Sequence, residues 1–218
     1  MAHVPLVTRD DLDEEGRRRW DAEVERSGAD PTHMKRALLN HLPSYDTLMD
    51  WYPLYAQVEQ FTGARGAVVY SFAISTENEC LLCTTYFRRS LKNRGEDING
   101  RDLDPVEEDL AAFGRSIASA HRADRALVGR LRERYGAEGL VALVGFGILM
   151  IGNNIVNSFL EVELDPGLRD LADELAAQAA AELAEHERTH AVPALVPAIV
   201  PAIVPAIVVE PATSGASA

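Results

Sequence analysis

Cysteine is nearly missing from this chain: its 218 residues contain two, Cys80 and Cys83. That count excludes a small secreted scaffold stapled by several disulfides. Positive charge is also scarce, with 21 basic against 34 acidic side chains and a formal net charge of −13. A nucleic-acid partner needs cations concentrated enough to neutralise a phosphate array, and here the basic residues are dispersed among acids, as in Glu14-Glu15-Gly16-Arg17-Arg18-Arg19. Arg88-Arg89 is a mere pair, and an anionic membrane surface is disfavoured on the same ground. No long hydrophobic run is present either. The most apolar stretch, Leu140 to Ile151, has about a dozen residues broken by glycine, whereas a helix crossing a bilayer needs about 20. It reads as a buried core helix.

Other absences narrow the chemistry. Met1-Ala2-His3-Val4-Pro5 lacks the basic flank and apolar run of a signal peptide, so the expected location is cytoplasmic, where thiols are kept reduced. A second CxxC is missing. The histidines (His3, His33, His41, His121, His186, His190) show no ligand spacing except His186 and His190, one helical turn apart among Glu185, Glu187 and Arg188. A solvated helix end is the better reading of those two. No metal or other cofactor is expected, since zinc needs four ligands, or three and a water.

What is present is helical patterning. Asp10 to Arg26 reads as a charged, exposed helix with Leu12, Trp20 and Val24 as its apolar contacts. Pro43-Ser44-Tyr45 opens a stripe of Leu48, Trp51, Leu54, Tyr55 and Val58, which Pro53 should bend or break. Gly63 to Ile74 is almost wholly apolar, and its helical neighbours decide for helix. Asp104-Pro105-Val106-Glu107 has the cap, proline and reciprocal acid of a helix start. A short helix is expected over 124–135, ended by Gly136, then a long apolar one from Glu138 to about Leu160. Asp165-Pro166 should cap a last, alanine-rich helix reaching about His190. Residues 1–190 read as one domain. Beyond it, 191–218 repeats Val-Pro-Ala-Ile, and a proline at every fourth position predicts an extended or disordered Pro-rich tail.

The candidate site is Cys80-Leu81-Leu82-Cys83. Thr76-Glu77-Asn78-Glu79 fits a capping box, which would start a helix at Thr76 and place Cys80 in its second turn. A helix N-terminus favours thiolate, two sulfurs at this spacing approach disulfide geometry, and such a pair cycles by attack and resolution. Glu79 opposes this, because a neighbouring carboxylate raises a thiol pKa. The bland alternative is two small buried residues filling a helix interface.

The stretch from Ser75 through Thr84-Thr85-Tyr86-Phe87-Arg88-Arg89 resembles the core of the carboxymuconolactone decarboxylase and alkylhydroperoxidase D superfamily. Phe113-Gly114-Arg115 and 144–164, with Asn153-Asn154 and Glu161-Val162-Glu163-Leu164, resemble its later helices, so the likeness covers about residues 35 to 175. The resemblance implies an all-α, alkylhydroperoxidase D-like helical bundle, a homo-oligomer, a small-molecule substrate and peroxidase or thiol–disulfide chemistry with a thiol reductant partner. It implies Cys83 as the attacking thiol and Cys80 as the resolving one. Two departures stand out. The histidine that peroxidase members carry four residues after the second cysteine is Phe87 here, and the glutamate twelve before the first is Val68. Those groups form the family's proton relay. Candidates to replace it are Tyr70, Glu77, Glu79, Thr84 and Tyr86, and the asparagines Asn153, Asn154 and Asn157 of the apolar helix, of which Asn153 and Asn157 share one face. Two other functions stay open: a lyase, isomerase or cyclase on the same fold, and a non-catalytic helical oligomer.

Overall fold

The computed structural model describes residues 2–96 and 102–189, with 178–180 and 182–189 described in backbone only. Among the described residues every regular element is helical: α1 Glu14–Ser27, α2 His33–Leu38, α3 Leu42–Met49, α4 Pro53–Glu77, α5 Leu81–Asn93, α6 Pro105–Ala118, α7 Arg125–Phe159 and α8 Pro166–Thr189. The described residues up to Ala177 form one compact unit, and the backbone from Gln178 to Thr189 belongs to a second. The expected repeat tail over 191–218 lies outside the described residues.

Local chemistry sets most boundaries. The Asp13 side chain caps α1, Gly28 closes it with φ 71°, and the first predicted helix therefore starts four residues later than its charge pattern suggests. Between Pro31 and Pro43 the short α2 was not anticipated. Its His33 N–H is met by the Asp165 carboxylate at 2.8 Å, so Asp165 is a tertiary cap for α2; its own carbonyl accepts from Leu168 N–H at 2.8 Å. Pro53 breaks the 48–58 stripe by becoming the first residue of α4, where its missing N–H costs nothing. Asp104 and Glu107 make the reciprocal box expected at α6. The two helices expected around Gly136 form α7 with a break at that glycine, φ 71° and ψ −177°.

α4 is the central helix, packed against α5, α6 and α7, and α6 also packs on α7. Val58, Val68, Tyr70 and Ile74 of α4 meet Leu91, Leu110, Phe113, Leu131, Leu143 and Phe146 in the main core. A second cluster joins Trp20, Met34, Leu38 and Tyr45 of the N-terminal helices to Val162, just past α7. By length and composition α7 is able to cross a membrane, although half of its most apolar window is buried within the protein.

The α4–α7 contact depends on the absence of a side chain at Gly147. The Tyr70 hydroxyl donates to Leu143 C=O at 2.8 Å, and a Cβ at Gly147 would lie 2.6 Å from that hydroxyl and 2.8 Å from Ile117. Gly147→Ala should therefore destabilise by about 1–3 kcal/mol despite the better helix propensity of alanine. Urea unfolding of the variant checks this; a stability at or above the parent would show that the two helices separate easily.

Candidate functional site: a buried dithiol at a helix N-terminus

Thr76-Glu77-Asn78-Glu79 ends a helix and does not begin one. α4 continues through Glu77, Glu79 takes φ 53°, Cys80 N–H donates to Ser75 C=O at 3.0 Å and Glu79 N–H to Thr76 C=O at 3.0 Å. This is the 6→1 and 5→2 pairing of a Schellman C-terminus, with glutamate in the left-handed position usual for glycine. The capping box fails because the apolar run of α4 carries its helix past Thr76, and the chain must then reverse to lay α5 back on the core.

The reversal gives Cys80 a different place from the one expected. It is the N-cap of α5, in extended conformation, and its Sγ accepts from Cys83 N–H at 3.4 Å. The sulfur thus does what a serine or aspartate oxygen does at most N-caps. Cys83 is one turn in, its Sγ accepting from Asn157 Nδ2 of α7 at 3.2 Å. Both thiols are free and buried, Cys80 at 1% exposure and Cys83 at 6%.

The two sulfurs are electrostatically unequal. A hydrogen bond from the Cys83 thiol lowers the Cys80 pKa to about 7 against the opposing effect of burial, helped by the Cys83 N–H and by the side chains of Ser158 and Asn157. Cys83 is pushed far upward, first by holding that shared proton and then by burial and the Cys80 charge. The two titrate as a pair, and the more acidic sulfur is the one that faces the helix N-terminus. Glu79 is exposed at the turn, in the left-handed conformation, with its side chain in solvent.

The asparagines divide into two kinds. Asn154 is fully engaged: it donates to Asn78 Oδ1 at 3.1 Å and accepts from Ser75 Oγ at 3.3 Å, tying α7 to the end of α4. Asn153 and Asn157, one turn apart on the sulfur side of α7, each have a buried Oδ1 that no group donates to. Such an oxygen costs about 1–3 kcal/mol when nothing satisfies it. Asn153 also pairs with the hydroxyl of Tyr52, whose pKa is raised chiefly by burial.

Of the residues read from sequence, the structure brings together Cys80, Cys83 and Asn157, with Asn153 alongside. Tyr70 is fully buried in the α4–α7 core. Tyr86 is exposed, edge-on to Phe87 and under Arg89; Glu77 lines a separate cavity of about 160 Å³ with Phe72, Thr76 and Arg115. A larger cleft of about 700 Å³ lies between Glu108, Asp109, Arg130 and Arg134, and neither cavity is lined by a cysteine. Val68 and Phe87, at the relay positions, are core residues of the same cluster as the sulfurs. Sequence reading missed Tyr52 and Ser158; the i, i+4 pair of asparagines in an apolar helix was the signal leading to that face. Among the described residues no three His, Cys, Asp or Glu side chains converge as metal ligands. No known protein family matches the chain, and neither does any curated protein.

Proposed function

We propose that the chain is a thiol-dependent oxidoreductase on an alkylhydroperoxidase D-like fold, in which Cys80 and Cys83 cycle between dithiol and disulfide while reducing a peroxide or a disulfide. The carrying observation is the inequality of the pair: one sulfur capped by backbone N–H at a helix N-terminus, the other holding the proton beside it. Cys80 is then the attacking thiolate and Cys83 the resolving thiol, the reverse of the order the family resemblance implies.

The step balances without the missing relay. Cys80 thiolate attacks the terminal oxygen of R–O–O–H; the S–O bond forms, the O–O bond breaks, and sulfur gives up two electrons. The departing alkoxide takes the proton of Cys83. Cys83 thiolate next attacks the Cys80 sulfenic sulfur, closing the disulfide and expelling hydroxide, which solvent protonates. An external dithiol reductant in the cytoplasm resets the pair. With Val68 and Phe87 in place of the family's acid and base, the second cysteine is the proton source.

The test is one equivalent of an organic hydroperoxide on the reduced protein, followed by thiol counting and peptide mass analysis. An intrachain Cys80–Cys83 disulfide is expected. Two unmodified thiols after excess peroxide would overturn the proposal.

That negative result would favour a second reading, a non-catalytic helical homo-oligomer. Its supporting observation is the exposed apolar stripe of Val141, Val144, Ile148, Ile155 and Phe159, spaced by three, four, seven and four residues along one face of α7. Such a stripe is suited to burial against a second copy.

A further inference from the structure

Arg88 lacks a counter-charge in a protein whose other basic side chains are commonly matched, as Arg9 is with Asp21, Arg65 with Glu96 and Glu107, and Arg130 with Asp109. It is half-buried on α5; its Nε is buried without a hydrogen-bond partner, and among the described residues no carboxylate pairs with it. Burial alone lowers its pKa, as for a cation with nothing to offset its desolvation. A buried donor left unmet in a folded protein calls for an explanation. The surroundings supply one. The guanidinium rests 5.4 Å from the ring centre of Phe72 on α4. Phe72 is in turn a wall of the cavity of about 160 Å³ between α4, α5 and α6, and so is Leu91, one turn beyond Arg88 on the same face of α5. Val69, Leu103 and Ala111 continue the apolar lining, with Glu77 and Arg115 as its charged groups.

We propose that this cavity binds a small monocarboxylate with an apolar body, its carboxylate paired with Arg88 and its body held against Phe72 and Leu91. No cysteine lines the cavity, and the proposal does not depend on the redox reading. A planar carboxylate matches the guanidinium fork with two parallel bonds and meets donors that the protein leaves unpaired. The volume sets the size of the body: a cavity of about 150 Å³ lined by apolar side chains accommodates benzene, so a single ring or a chain of that bulk fits. The lining sets the charge. Glu77 and Arg115, both exposed, cancel in net charge, which leaves the Arg88 cation to be met by the ligand. A second negative charge on the ligand would face Glu77, so dicarboxylates and phosphate monoesters are disfavoured.

Calorimetric titration of the full chain with benzoate and with its neutral isostere benzamide tests the pairing. Benzoate should bind about tenfold more tightly, the margin that a charge-assisted bond to a guanidinium supplies. Terephthalate, which adds a second carboxylate to the same ring, should bind more weakly than benzoate. Arg88→Met should lower benzoate affinity by about tenfold and leave that for benzamide unchanged. The variant should be no less stable than the parent, because it removes a half-buried cation without a partner and keeps an unbranched apolar arm. Thermal unfolding of the parent should move upward with benzoate and less with benzamide, a comparison that needs no variant and holds even if Arg88→Met does not fold. Equal affinities for benzoate and benzamide, no binding of benzoate at millimolar concentration, or an unchanged benzoate affinity in folded Arg88→Met overturns the proposal. None of these outcomes bears on the dithiol reading, which peroxide oxidation tests separately.

Discussion

Cys80→Ser is expected to abolish oxidation by peroxide, whereas Cys83→Ser should still be oxidised once and stop at sulfenic acid. The asymmetry follows from where the charge lies. With a pKa of about 7, against an ordinary 9.0, Cys80 is about half ionised at neutral pH, while an unperturbed thiol would be ionised to about one part in a hundred. Part of that gain is returned, because nucleophilicity falls with basicity; at a Brønsted slope of about 0.4–0.5, two units of pKa cost about tenfold per thiolate. A net advantage in rate remains at neutral pH. It depends on the proton that Cys83 holds against the Cys80 sulfur. Cys83→Ala removes that donor, so the pH profile for alkylation of Cys80 by iodoacetamide should move upward from a midpoint near 7. A peroxide-reactive Cys80→Ser protein, or an unmoved midpoint in Cys83→Ala, would return the attacking role to Cys83.

How much of this was legible in the sequence depends on the range of the interactions involved. Helix content, the α6 start and the break at Gly136 are local, and Asp104, Glu107 and the glycine declare them. The CxxC was conspicuous because the chain has no other cysteine. Its setting was misread for a tertiary reason. Thr76-Glu77-Asn78-Glu79 satisfies the residue pattern of a capping box, but the pattern does not reveal whether the preceding apolar run is already helical and must end there. Once α4 is seen to continue to Glu77, the same four residues become a C-terminus and Cys80 takes over as N-cap. Asn157 was placed on the relevant face by period alone. Its bond to Cys83, 74 residues away, depends on how α7 crosses α5 and was not readable. Tyr70 failed as a site candidate for the converse reason: proximity in sequence to Cys80 says nothing about direction, and its side chain points along α4 into α7.

The second large effect concerns a buried charge pair that the charge pattern of α1 concealed. Glu23 and Lys35 are each 6% exposed, and Lys35 Nζ lies 2.5 Å from Glu23 Oε1 and 5.1 Å from the ring centre of Tyr52. Burial pushes the Glu23 carboxyl upward, but bonds from Arg26 and Lys35 outweigh it and hold it below the usual carboxylate range. Lys35 has one anion bonded to it and the Arg26 cation nearby, so burial wins and lowers its pKa. The acid is over-compensated and the base under-compensated. Glu23→Leu should therefore cost about 3–5 kcal/mol, because it leaves a buried ammonium without its anion. Lys35→Met should cost less, since Arg26 still bonds Glu23 at 2.7 Å. The double variant should recover most of the loss, as the partly exposed Arg26 can return to water. The pH dependence has a definite sign. A lysine with a depressed folded pKa destabilises fully below that pKa, and the penalty lifts as pH rises toward the ordinary 10.5. Urea unfolding of Glu23→Leu should thus show stability rising as pH climbs from the depressed folded value of Lys35 toward 10.5, relative to the double variant, which lacks the titrating amine. Glu23 behaves oppositely in the parent: its contribution is present at neutral pH and is lost as pH falls from the ordinary 4.5 through its lower folded value. Equal stabilities for Glu23→Leu and the double variant across that alkaline range would mean that Lys35 reaches water when its partner is gone. The hold of Lys35 over Tyr52, and through Tyr52 on the amide face beside the dithiol, would then depend on Glu23 alone.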